Sequence, residues 1–208
     1  MVLLTGPMFS MTASGTIGDT ITYSVWKGRA YARQRVIPAN PKSAGQTGMR
    51  AMFSFLSKQW SSIAAIDQAT FDADAEAKSI SPFNSYMKLN MDRWKNYLPP
   101  SQTFVPAEAS TPLTVTVQTL TGGEAYANIE VTPSAATDIW GFEIYRSLAT
   151  ITDPNNSNCI AVIEANGAAA VEYNDTGLDA GTYHYRSAVI NVDGIRGTVI
   201  ADDTVVVT

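Results

Sequence analysis

The chain of 208 residues has one cysteine, Cys159, and one histidine, His184. One thiol excludes an internal disulfide and a cysteine-cluster metal site, and one imidazole excludes multi-histidine metal sites. No apolar run approaches the ~18 residues of a membrane-spanning helix, so no membrane partner is expected. The apolar opening, MVLLTGPMFSM, lacks a basic stretch and a small-residue cleavage site, and reads as the start of a chain made inside the cell without a secretory signal. Composition is otherwise that of an ordinary globular protein, long enough for one large domain or two small ones.

Catalytic patterns are equally scarce. There is no GxGxxG or P-loop to cradle phosphate. His184 falls mid-strand without a nucleophile to serve, and Cys159 reads as a small apolar strand residue. Asp72, Asp74 and Glu76 read as a solvated helix face. The oxygen-rich run from Asp153 to Asn158 lacks EF-hand spacing. Two glycosylation triplets, at Asn155 and Asn174, matter only in a secreted eukaryotic protein. The expectation is a chain with no catalytic residues, no cofactor and no metal.

Charge is unevenly spread. Residues 1–100 carry eleven Lys/Arg against six acids, a net +5, whereas residues 101–208 carry three against thirteen, a net −10. The basic half could face an acidic partner; +5 is too modest to predict a nucleic-acid partner. Ile21, Tyr23 and Val25 alternate with Thr20, Thr22 and Ser24 as a half-buried strand. Lys27-Gly28 supplies a turn, and the return strand puts Arg29, Tyr31, Arg33 and Arg35 on one face. A lone hairpin is marginal in water, so help from the helices or a neighbouring chain is expected. Pro38 and Pro41 end the ladder.

A helix follows, with Ser43 as its cap and Met49, Met52, Phe53, Leu56, Trp60 and Ile63 as its stripe. Asp67 caps a short helix running to about Lys78. Ser81-Pro82 opens a third, with Ser81 at the cap and Pro82 in the first turn. Its stripe is Phe83, Tyr86, Met87, Asn90, Met91, Trp94 and Leu98. Pro99-Pro100 ends it, and residues 99–112 read as a Pro-rich linker or docking segment. Beyond it, seven candidate strands (113–118, 125–132, 139–147, 159–164, 169–173, 182–191 and 198–207) point to a β-sandwich, with Trp140 at or near its core. The predicted fold is an α+β N-terminal unit of a hairpin plus about three helices (1–98), the linker (99–112), and an all-β sandwich (113–208).

Two resemblances add to this reading. The strand from Trp140 to Ser147, the run from Tyr173 to Arg186 with its Asp-Thr-Gly-Leu corner, and the Asp193-Gly194 turn resemble a fibronectin type III domain, which implies a sandwich but no activity. Gly15 and Gly18, then Trp26 to Arg33, Pro38 to Pro41, Gln46, Arg50, Phe53 and Trp60 resemble a family of tailed-bacteriophage and prophage proteins. That likeness implies a non-enzymatic virion component: a capsid decoration or head- or neck-associated protein that carries an immunoglobulin-like domain. Its partners would be other virion proteins, in homo-oligomers or many copies per particle, assembled in the bacterial cytoplasm. The residues expected at the assembly interface are Trp26, Arg29, Tyr31, Arg33, Arg35 and Arg50. The alternatives are a tail or baseplate component whose sandwich touches the host, and a secreted bacterial fibronectin type III binding module.

Overall fold

The computed structural model describes residues 2–3, 14–18, 20–37, 39–40, 42–107, 112–134 and 137–208. It divides into two compact units, Met1–Pro41 and Lys42–Thr208. The first contains an antiparallel sheet of β1 (Val2–Leu3), β2 (Gly15–Ile17), β3 (Ile21–Trp26) and β4 (Arg29–Gln34), in the order β1-β4-β3-β2. Lys27 and Gly28 link β3 to β4 with φ of 49° and 75°. Positive φ at both positions gives the two-residue hairpin turn whose twist matches that of the strands. The predicted hairpin thus gains a strand on each side. The prolines at 38 and 41 and nearly all of the N-terminal arm lie outside the described residues.

The second unit begins with α1 (Ala44–Gln59), then a 3₁₀ turn (Trp60–Ser62), α2 (Ala65–Gln68), a second 3₁₀ turn (Ala69–Phe71), α3 (Asp72–Lys78) and α4 (Pro82–Lys95). The α4 start is as predicted: the Asn84 N–H donates to Ser81 Oγ at 3.2 Å, with Pro82 in the first turn. Ser43 makes no side-chain cap bond, and Asp67 lies inside α2 rather than capping a longer helix. The α1 stripe is also rotated from expectation, since Phe53 is exposed while Gly48, Met52, Phe55, Leu56 and Gln59 are buried. Leu98, predicted to extend the α4 stripe, lies beyond that helix and is exposed. Trp60, Phe71 and Tyr86 pack ring against ring with centroids 5.0–6.2 Å apart, and Phe104 joins Phe71 at 5.8 Å.

Seven strands follow: β5 (Val115–Gly123), β6 (Tyr126–Pro133), β7 (Ile139–Ser147), β8 (Cys159–Glu164), β9 (Val171–Thr176), β10 (Gly181–Asn191) and β11 (Asp203–Val207). They form two sheets, β5-β6-β9 and β11-β10-β7-β8. Ala127, Ile129 and Val131 of β6 meet Phe142, Ile144, Tyr185 and Val189 between the sheets, which is the sandwich core. Tyr183 near the start of β10 donates its hydroxyl to the Asp179 carbonyl at 3.1 Å, a tyrosine-corner contact. The sandwich is as predicted, with strand ends shifted by a few residues.

The four-stranded sheet is buried on its other face as well. Trp140, Tyr145, Cys159, Ala188 and Ile190 pack there against Met52, Phe55, Leu56, Tyr86 and Trp94. A bulge pairs Ile190 with Gly141 and Asn191 with Ile139, so Trp140 leaves the face shared by Phe142 and Ile144 and joins the helical layer. The helices and the sandwich therefore form one unit with two cores, and the division falls after Pro41 rather than across residues 99–112. An apolar second sheet face in water would be costly, and the helices cover it. The start of the expected linker is docked too. Asn90 and Ser101, both buried, exchange hydrogen bonds at 3.0 and 2.7 Å, and the Gln102 N–H donates to the Val192 carbonyl at 3.0 Å.

Candidate assembly interface

Cross-strand register decides which side chains the N-terminal sheet presents together. Opposed residues share a face. Trp26 is opposite Arg29, Ser24 opposite Tyr31, and Thr22 opposite Arg33, with Thr16 beside Thr22. Arg29, Tyr31 and Arg33 were expected on one face. The two-residue turn brings Trp26 onto the same face, a relation that strand periodicity alone does not reveal. Its indole is 65% exposed, and Lys27 Nζ lies 4.9 Å from the ring centroid, within cation–π reach. The Thr16 and Thr22 hydroxyls are 3.2 Å apart across β2 and β3.

Arg35 lies just beyond β4, where its backbone N–H continues the ladder to the Thr20 carbonyl at 2.7 Å. Arg50 is on α1 in the other compact unit, with its side chain exposed. The four residues Trp26, Arg29, Tyr31 and Arg33 thus form one continuous surface: two guanidinium forks, a phenol and an indole on a pleated plane. Such groups suit a protein partner, because guanidinium forks take carboxylates two bonds at a time and aromatic rings fill apolar pockets.

Several ionisable groups of the larger unit are deployed internally. Arg196 Nε and Nη2 donate to the two oxygens of Glu143 at 2.6 and 3.0 Å, and Tyr145 donates to the same carboxylate at 2.5 Å. Glu143 is fully buried beneath the helices. Burial works against the Arg196 charge, but the Glu143 carboxylate outweighs it and holds the guanidinium above its ordinary value. Arg196 also donates to the Tyr97 carbonyl at 2.8 Å, and Arg93 to the carbonyls of Pro99 and Gly194 at 2.8 and 3.0 Å. These bonds fasten the turn after β10 to the segment after α4. The partner of Glu143, fifty-three residues away, leaves no local signal in the sequence.

Cys159 is buried, and burial, followed by the nearby Glu143 charge, pushes its thiol well above the usual range, opposite to what a nucleophile needs. His184 Nδ1 lies 2.6 Å from Asp202 Oδ2, while Asp202 Oδ1 accepts the Ile151 N–H at 3.2 Å, a strand-to-loop tie. Among the described residues, no three His, Cys, Asp or Glu side chains gather as a metal site, and no helix is long and apolar enough to cross a membrane.

No protein-family model matches the sequence, and no curated protein matches it. Three solved structures give the scale of structural likeness. A beta-1,2-glucanase from Parabacteroides distasonis is 19% identical over 50% of this chain and 13% of its own, with a TM-score of 0.38. A family 76 glycoside hydrolase from a bovine Bacteroides thetaiotaomicron strain is 15% identical over 45% of this chain and 20% of its own, at 0.32. A Fn3-like protein from Clostridium thermocellum is 19% identical over 50% of this chain and 95% of its own, at 0.31. The chain thus spans a fifth or less of the two hydrolases. Its sandwich rests on the two sheets and the core between them.

Proposed function

We propose that this chain is a non-enzymatic structural component of a tailed-bacteriophage virion, a capsid decoration or head- or neck-associated protein. The N-terminal sheet attaches it to the particle, and the helix-backed, fibronectin type III-like sandwich is the part presented. The observation that supports this reading is the face shared by exposed Trp26, Arg29 and Arg33 and half-buried Tyr31, in the stretch that carries the sequence resemblance to such a family. Attachment buries the indole and phenol in apolar pockets and pairs the arginines with carboxylates of the particle. A single face of this size binds weakly, and repetition over many copies supplies avidity.

The test is incorporation of charge-reversed protein into particles. Arg29→Glu with Arg33→Glu should abolish incorporation while far-ultraviolet dichroism and thermal unfolding stay those of the parent chain. Normal incorporation of that variant would refute attachment through this face.

A further inference from the structure

The opposite face of the N-terminal sheet has a different character. Register gathers Ile17, Ile21, Tyr23 and Val25 with Ala30, Ala32 and Gln34. Among the described residues this face has no charge, yet Ile17 is 64% exposed, Val25 49% and Ile21 41%. A sheet with an apolar face is stable when a second layer covers that face. We infer that the covering layer is the same face of a second copy, so that two N-terminal sheets stack into a sandwich about a two-fold axis.

Shape and charge both favour a copy of this chain as the occupant. Along β3 the face is a ridge of Ile21, Tyr23 and Val25, while along β4 it is a trough of Ala32 and Ala30, opposite Tyr23 and Val25. A two-fold axis sets the ridge of each copy into the trough of the other, the self-complementarity an isologous contact requires. An uncharged face meets its own copy without electrostatic penalty. The arginine face does not, because Arg29 and Arg33 would be set against their counterparts. The stacked pair turns both arginine faces outward, available for attachment.

The area sets the strength. The strands, of two, three, six and six residues, span roughly 270 Å² per copy at about 3.3 Å per residue and about 4.8 Å between strands. That is about a third of the ~800 Å² per partner of a standard stable complex. The dimer is therefore weak and concentration-dependent. This inference holds whatever the arginine face binds.

Sedimentation of the full chain over a concentration series tests it. The average mass should rise reversibly from the 22.3 kDa monomer toward twice that value. Ile17→Thr with Ile21→Thr keeps β-branched strand formers but removes apolar surface, and should raise the dissociation constant about tenfold or more. Ala32→Leu fills the trough while adding apolar surface, so it weakens an interlocked dimer but would strengthen mere stickiness. Arg29→Glu with Arg33→Glu should change the constant by less than about twofold, because those groups face away. Amide exchange across β3 and β4 checks that each variant keeps its hairpin. A monomer at every concentration overturns the inference. So does a dimer that is indifferent to the threonine pair, strengthened by Ala32→Leu or lost on arginine reversal.

Discussion

The indole N–H of Trp140 donates to Gln59 Oε1 at 3.1 Å, joining the first strand of the four-stranded sheet to the end of the first helix. Both residues are buried, and the same oxygen accepts the Ser62 hydroxyl at 3.0 Å. The bond matters because an unpaired donor in an apolar setting costs more than the bond itself contributes. Phe55, one turn before Gln59, rests against the Trp140 ring at 5.2 Å between centroids. Helix and sheet are thus matched in polarity as well as shape.

Replacing Gln59 with Leu should therefore destabilise the chain by about 1–3 kcal/mol, the range for a stranded buried donor. Urea unfolding of residues 42–208 should remain a single transition, since both cores share the same sheet. A fragment of residues 113–208 alone should bind a hydrophobic dye and self-associate, because Trp140, Tyr145, Ala188 and Ile190 would lose their cover. A monomeric, dye-silent fragment would show that the helical layer is dispensable.

The Glu143–Arg196 pair makes a second prediction. Arg196→Met should cost about 3–5 kcal/mol, as expected when a buried carboxylate loses its counter-charge. Adding Glu143→Gln should restore much of that loss, because the side-chain amide oxygen still accepts the Tyr145 hydroxyl without carrying charge. A double-mutant cycle by chemical denaturation reads the coupling directly. Additive losses would mean that the pair contributes no more than its separate packing.

Much of this architecture was legible because local rules and tertiary structure agree. Ser81-Pro82 opens a helix by its own chemistry, and the strands of the sandwich stand between turn residues. β7 misleads for a physical reason. Gly141, Glu143 and Tyr145 alternate with Phe142 and Ile144 like a solvent face, but the second sheet buries one side and the helices the other, and a doubly buried strand has no polar face to display. The burial of Glu143 depends on Arg196, far along the chain. At the candidate interface, the arginine alternation is local and readable, whereas the place of Trp26 depends on turn length. Phe55 and Phe53 exchange roles because α1 must serve α4 and the sheet at once.

Alkaline pH should unfold the protein cooperatively. Tyr86 and Tyr185 are raised from the ordinary 10.0, Tyr86 by burial and Tyr185 by burial and then by the Asp175 charge. Tyr145 is raised by burial and then by Glu143. A raised acid stays neutral in the fold while the unfolded chain releases its proton. Its stabilisation is therefore complete below pH 10.0 and is lost as pH climbs toward the folded values. Each such tyrosine should steepen the decline by about 1.4 kcal/mol per pH unit. Tyr86→Phe should remove one such step, and tyrosinate absorbance should appear together with loss of near-ultraviolet dichroism. Full titration of all tyrosines in folded protein would contradict this.

Two glycines in α1 should respond to alanine with opposite signs. A Cβ on Gly45 would meet nothing within 4 Å, so Gly45→Ala in the first turn should stabilise by about 0.4–1 kcal/mol through lower unfolded-state entropy. A Cβ on Gly48 would lie 2.5 Å from the Asn156 carbonyl oxygen and 3.1 Å from that of Cys159. Both neighbours are backbone, and Asn156 is held by its amide donating to the Trp94 carbonyl. The helix would have to lift from the loop before β8, at about 1–3 kcal/mol for overpacking, which exceeds the propensity gain of about 1 kcal/mol. Gly48→Ala should therefore lower the melting temperature while Gly45→Ala raises it. If both variants gained stability, the close seating of α1 against residues 156–159 would be wrong, and with it the joint burial of helices and sandwich.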